Sequence, residues 1–350
     1  MPIPLSSLPA TAGPAGGLDL DRIRDRTADI VTEFFATRTG PLARPLREAT
    51  EGGKMFRPVL CTVGWHAAGG PPADDPALHL GASLELFHAS LLIHDDICDQ
   101  ADTRRGRPTL HRALEAEYPG AGTGLALVAG DLLAFWHQEV VDRAPLNSGQ
   151  LRRARTVFAR MREEVFEGQY RELALSRQGP VEDLDEILAV ARAKSGNYSV
   201  TWPLVLGSTL ATADPAVPAA LHRYAVPLGE AFQLRDDLLG VFSDPGVSGK
   251  PVGDDLREGK PTALLALAWR TADPDQRRVL RAHVGRRDAT EAEIAECRAV
   301  LVALGVPGRV ETMIDERYGQ AVEALGRAAV TGPARTTLRH LAHRLAYRDS

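Results

Sequence analysis

Little in this sequence of 350 residues is aromatic, and it contains only three cysteines and four lysines. Cys61, Cys98 and Cys297 are odd in number and far apart. That excludes a disulfide framework and a cysteine-based zinc site, and makes a reducing cytoplasm the expected setting. There is no uninterrupted apolar window of the ~18 residues that a membrane span needs, so stable membrane insertion is not expected. Residues 1–17 are rich in Pro, Gly and Ala but lack a basic start or a long apolar core. They read as a disordered tail ahead of one domain running from 18 to 350, and not as a signal peptide. Alternating β-branched runs and internal repeats are also missing, which leaves no basis for a large sheet or a solenoid. The net charge of -5 argues against a nucleic-acid partner, whose footprint is a strongly basic domain or face.

What the chain has in abundance is Ala, Leu, Arg and Glu, within a hydrophobic content of 44%. These are strong helix formers with enough apolar surface for a large core, so the expected fold class is all-α, a large single-domain helical bundle. Apolar spacing predicts helices at 18–37, 78–99, 124–141, 151–175 and 224–242. Another follows EGGKMFRP, and one starting at Leu184 breaks at Gly196. The C-terminal part reads as further helices that form bundle walls and an interface.

The most informative stretch runs from His88 to His111, HASLLIHDDICDQADTRRGRPTLH. At ~100° per residue, His88, Asp95 and Asp99 share one helical line. Two carboxylates one turn apart repel unless a cation offsets them, and oxygen-only ligands favour a hard ion such as Mg²⁺. Arg104, Arg105 and Arg107 follow directly, and guanidiniums beside a metal-binding acidic pair suit a diphosphate. The bland alternative is the solvated end of a surface helix. It fits poorly, because Leu84, Leu86, Phe87, Leu91, Leu92 and Ile93 make this helix apolar almost all round, and a buried helix that ends in three aspartates needs compensation.

The lysines carry a second signal. Of 41 basic side chains, 37 are arginines, and the exceptions are Lys54, Lys194, Lys250 and Lys260. Each lies next to glycine or serine at a predicted helix end or in a loop near acidic residues, and none follows Lys260. A compact ammonium suits phosphate oxygens approached from several angles, so these four are expected to address phosphates. Lys54 and Arg57 also sit near a helix start, where free N–H groups favour anions. A second acidic group, QLRDDLLG, places Asp236 and Asp237 near a helix end with Gln233 one turn before Asp237.

With these residues in view, the chain resembles the trans-isoprenyl diphosphate synthases (polyprenyl synthetases) from about Leu18 to its end. Five separated signatures stand in family order: GGKMFRP, LIHDDICD with TRRGRPTLH, KSG, FQLRDD and GKPVGDDLREGKPT. The resemblance implies an isoprenoid-synthase bundle around a deep central cavity, usually a homodimer, that condenses isopentenyl diphosphate with an allylic diphosphate. It further implies that Asp95 and Asp99 bind Mg²⁺ on one side and Asp236 binds a third Mg²⁺ on the other, with Asp96 among the catalytic carboxylates. Arg104, Lys194, Gln233 and Lys250 would hold the allylic substrate, with Ser195, Asp237 and Lys260 supporting them. Lys54, Arg57, His88 and Arg105 would hold the diphosphate of isopentenyl diphosphate. The departure from the family pattern is Gly240, which replaces the last aspartate of the second motif; if that aspartate acts through water, a solvent molecule or Asp244 would stand in, and if it binds metal directly, ionisation would be slower.

One helical turn rises ~5.4 Å, about one isoprene unit, so residues at successive turns before Asp95 would act as a ruler. Ser90 and Leu91 would leave room and Phe87 would stop growth near twenty carbons, giving geranylgeranyl diphosphate; a farnesyl or longer product comes next. A terpene cyclase is disfavoured because no Asn, Ser and Glu set forms the second metal motif and because Lys54 and Arg57 would lack a second diphosphate. A non-catalytic partner subunit should have lost some of the lysines or aspartates.

Overall fold

The computed structural model describes residues 14–71, 75–242 and 253–348. Lys250 and Asp244 therefore lie outside the described residues, as do residues 1–13 of the expected tail. Residues 14–17 form a turn in which Gly17 N donates to Pro14 O at 2.8 Å, and Leu18 N then donates to Thr337 Oγ1 at 2.8 Å.

The chain is helical almost throughout. In order come α1 Leu20–Ala36, α2 Ala43–Thr50, α3 Phe56–Ala67, α4 Ala77–Cys98, α5 Leu110–Glu117, α6 Gly122–Arg143, α7 Ser148–Leu175 and α8 Leu184–Ala191. After a π-helical segment, Arg192–Thr201, follow α9 Trp202–Ala211, α10 Ala216–Phe242, α11 Asp254–Glu258, α12 Ala263–Thr271, α13 Pro274–His283, α14 Glu291–Ala303, α15 Val306–Arg327 and α16 Gly332–Ala346. Side chains fix several of these starts. Asn147 and Gln150 exchange hydrogen bonds as a capping box at α7, and Thr290 with Glu293 does the same at α14.

Two helices organise the bundle because they are apolar on nearly every face. α4 buries Leu80, Leu84, Leu86, Phe87 and Ile93 against α6, α3 and α1, and α10 buries Leu221, Tyr224, Leu228, Leu234 and Leu238 against α15, α9 and the π segment. No described helix is long and apolar enough to cross a membrane.

Two features of the chain path bear on the site. The charged stretch after α4 forms a small hairpin. Thr103–Arg104 pairs antiparallel with Arg107–Pro108, joined by Arg105 (φ 54°) and Gly106 (φ 73°). Two central residues with positive φ fit a tight two-residue hairpin, whose twist matches its strands. The expected break at Gly196 is absent, because the chain continues as a π helix. A Cβ at Gly196 would stand 2.9 Å from the Gly229 carbonyl carbon. This glycine allows close approach to α10 and does not end a helix.

Candidate active site

A cavity of about 460 Å³ opens between α3, α4, the π segment, the C-terminal part of α10 and the short helix α11. Its first acidic wall is the end of α4, where His88, Leu92, Asp95 and Asp99 all face inward, as their common helical line requires. Asp95 Oδ1 accepts from Lys194 Nζ at 3.0 Å and from Gln169 Nε2 at 3.3 Å. Lys194 also donates to Glu172. Burial pushes Asp95 upward, but Lys194, Lys260 and Arg104 outweigh it and hold the carboxyl down at about 2. One turn on, burial and the charge of Asp95 push Asp99 up to about 6. The pair therefore resists double ionisation until a cation arrives.

Asp96 departs from expectation. Expected among the catalytic carboxylates, it is 4% exposed and does not line the cavity. One residue beyond Asp95, it is rotated ~100° around the helix. Arg104 reaches it instead, with Nε 2.6 Å from Oδ1, so Asp96 anchors the hairpin that presents Arg104 to the cavity.

The second acidic wall is assembled differently. Asp236 on α10 faces the cavity with Phe232, Gln233 and Gly240. Asp237, expected to touch substrate, is turned away for the same rotational reason and accepts from Gln233 Nε2 at 2.8 Å. Burial drives its carboxyl up to about 7 against the opposing pull of Lys260, so it holds Gln233 in place from behind. The missing aspartate at Gly240 has a counterpart nearby. A Cβ at that position would lie 2.8 Å from the Asp255 carboxyl carbon. Asp255 on α11 thus fills the space a side chain at 240 would need, and it lines the cavity beside Asp254 and Glu258. These three acids were missed as site residues, although they stand inside the quoted GKPVGDDLREGKPT signature. Lys260 stands between the two walls. Burial would lower its pKa, but Asp255, Glu172, Asp237 and Asp95 raise it and keep it charged.

A basic corner completes the cavity with Lys54, Arg57 and Arg105. Arg57 Nη2 donates to Ser199 Oγ at 2.7 Å and its guanidinium lies 4.7 Å from the Tyr198 ring centroid. Arg105 is aimed by a 2.6 Å bond from Nη1 to Glu51 O. Burial, then Arg57, Arg105 and Arg104, hold His88 well below its usual range, so its ring is neutral. The π turn places Lys194, Ser195 and Ser199 together on the cavity side. Arg348, near the end of the chain, also lines the cavity and pairs with Asp236; nothing in its local sequence marked it.

Phe87, Ser90 and Leu91 do not line this cavity. Phe87 is 1% exposed and packs its ring 5.0 Å from His137, 6.0 Å from Tyr198 and 6.3 Å from Phe166. Ser90 is fully buried and Leu91 packs at the edge of the same cluster. Tyr198, which meets Phe87, also lies 6.0 Å from the ring of His88, a cavity-lining residue.

Among the described residues, no three His, Cys, Asp or Glu side chains converge on one point. Each wall offers carboxylates from one side, so a divalent cation there would complete its shell with water and with oxygens of a bound anion. That arrangement suits Mg²⁺ with phosphates.

A helical bundle whose cavity pairs two acidic walls with a basic corner defines a class of protein that handles diphosphates with metal. Comparison with known proteins agrees. Residues 40–301 match the polyprenyl synthetase family, and the chain belongs to that family. It is 30% identical over 330 residues to the geranylgeranyl diphosphate synthase of Mycobacterium tuberculosis, covering 92% of this chain and 91% of that protein. It is 33% identical over 305 residues to the (2E,6E)-farnesyl diphosphate synthase of Mycobacterium bovis, covering 85% and 80%. Among solved structures, geranylgeranyl pyrophosphate synthase from Corynebacterium glutamicum, complexed with isoprenyl diphosphate and magnesium, superposes with a TM-score of 0.90. It is 35% identical and covers 95% of this chain and all of that one.

Proposed function

We propose that this chain is a Mg²⁺-dependent prenyltransferase that condenses isopentenyl diphosphate with an allylic diphosphate to give an all-trans product, geranylgeranyl diphosphate. The observation that carries this reading is the single cavity in which Asp95 and Asp99 oppose Asp236 and Asp255 while Lys54, Arg57 and Arg105 form a separate basic corner. One cavity thus offers two anion sites.

Asp95, Asp99 and Asp236 would hold the metal, in the family pattern three ions. Bound there, Mg²⁺ supplies Lewis-acid stabilisation of the departing diphosphate. Lys194, Lys260 and Arg104 face the same oxygens and stabilise the charge that grows as the allylic C–O bond breaks. Gln233 and Ser195 complete that side; Lys250, which the family resemblance assigns there too, lies outside the described residues. Lys54, Arg57, Arg105 and neutral His88 position isopentenyl diphosphate so that its double bond meets the allylic carbon. The proton lost afterwards goes to the released diphosphate, so no side-chain base is needed. Phe232, Leu92 and Leu239 exclude water that would quench a carbocation.

The product would grow between α4 and the π segment, past Tyr198 toward Phe87. This favours twenty carbons over a farnesyl or longer chain. A second copy of the chain would cover the apolar face of α6 and α7, where Val128, Phe135 and Tyr170 are 60%, 75% and 75% exposed. The free thiols of Cys61, Cys98 and Cys297 suit a cytoplasmic enzyme.

The test is incubation with Mg²⁺, isopentenyl diphosphate and each of the three short allylic primers, followed by product sizing. Elongation to twenty carbons is expected; no elongation from any primer rejects the reading.

A further inference from the structure

Among the described residues, Arg348 is the cation in the cavity wall that reaches the second acidic wall from outside the motifs. Its guanidinium pairs with Asp236 and lies 4.0 Å from the Phe232 ring centroid. Its side chain is 12% exposed, and its Nε is buried with no hydrogen-bond partner. The stack on Phe232 and the ion pair together fix the guanidinium plane over the carboxylate that the proposed function gives to a metal ion. Arg348 also lies within electrostatic reach of Lys54, whose pKa is lowered by burial and next by Arg348. It therefore stands between the second acidic wall and the basic corner.

We propose that Arg348 is the resident counter-ion of Asp236, which a divalent cation must displace, and that a diphosphate in the neighbouring basic corner favours the exchange by giving the released guanidinium a new partner. The inference rests on the reading of Asp236 as a metal ligand. Its physical basis is that a carboxylate oxygen engaged by a guanidinium is not available to a metal, and that two cations cannot share Asp236 without repulsion. On the first wall Lys194 is fixed from both sides, by Asp95 and Glu172. Arg348 is held by one carboxylate and one ring, so it can leave. Metal loading on the second side is thereby coupled to substrate, which keeps the third ion from seating before a diphosphate is present.

The test is calorimetric titration of Mg²⁺ into the full chain, with and without inorganic pyrophosphate, for wild type, Arg348→Ala, Asp236→Ala and the double variant. The part of the isotherm lost in Asp236→Ala isolates the second wall. Arg348→Ala is expected to tighten that component roughly two- to fivefold without pyrophosphate, the scale of a partly exposed ion pair, and to shrink its dependence on pyrophosphate. In the Asp236→Ala background the Arg348 substitution should change nothing, because the effect runs through that pair. If Arg348→Ala leaves the component unchanged or weakens it, the exchange is overturned. If no component depends on Asp236 even with pyrophosphate, the reading of Asp236 as a ligand fails first and the exchange falls with it. Matching thermal melts of the variants without metal exclude misfolding as the cause.

Discussion

The two acidic walls of the cavity face each other but are built by opposite means. The first comes from one helix: Asp95 and Asp99 are a turn apart on α4, and Lys194 cross-braces Asp95 to Glu172. The second is assembled from separate pieces, with Asp236 on α10, Asp255 from α11 packed into the gap over Gly240, and Arg348 from the end of the chain. A pair of carboxylates on one helix is fixed by helical geometry alone. A pair drawn from two elements depends on how those elements pack, so it tolerates loss of a motif residue when a neighbour can replace it.

The largest expected difference follows from removing charge at the rigid wall. Asp95→Ala should lower turnover by roughly 10³-fold, the scale for losing a preorganised electrostatic contact. A loss below tenfold in steady-state product formation would show that the first wall is no more essential than the second.

Next comes the assembled wall. Gly240→Asp, which restores the family's aspartate, should be harmful here because its Cβ meets the Asp255 carboxyl group. We expect a roughly ten- to hundredfold loss of turnover, of the order produced by a misplaced ligand. Gly240→Asp combined with Asp255→Ala should be more active than Asp255→Ala alone. If the double variant is no better, the two carboxylates do not occupy one functional place.

A smaller effect should appear in pH dependence. Asp99, raised to about 6 from 3.8, binds a proton more tightly in the folded chain, so its contribution falls as pH rises through about 4 to 6. Asp95, depressed to about 2, stabilises above its ordinary value and loses that contribution only as pH falls toward 2. Thermal melts in chelator from pH 4 to 7 should therefore show a decline that Asp99→Asn removes and that Mg²⁺ with pyrophosphate reduces. An identical slope in Asp99→Asn would separate the two carboxylates' fates from the repulsion between them. The mildest change concerns product size: Phe87→Ala should add about one isoprene unit with little loss of rate, and an unchanged chain length would remove Phe87 from the ruler.

Legibility in the sequence divided along the same line. α4 was expected at 78–99 and spans Ala77–Cys98, and the shared line of His88, Asp95 and Asp99 needed only a helical period. Lys54, Lys194 and Lys260 stood out by composition and all reach the cavity. The inward or outward turn of Asp96 and Asp237 was equally computable from that period, but motif membership overrode it. What stayed hidden were relations between distant segments. No local signal ties Asp255 to Gly240, or Arg348 to Asp236, because each contact exists only after α10, α11 and α16 have packed. The hairpin was within reach, since Arg-Gly between two short polar runs allows a two-residue turn, but strands of two residues leave no periodicity to read.

The π segment Arg192–Thr201 is a phase shifter. By inserting wide turns between α8 and α9, it lets one continuous rod present different faces before and after the cavity. Shortening it would draw the winding back toward the ordinary α period and change the direction in which Lys194, Ser195 and Ser199 point relative to the flanking helices. Which side chains line the cavity thus depends on a count of residues as much as on their identity.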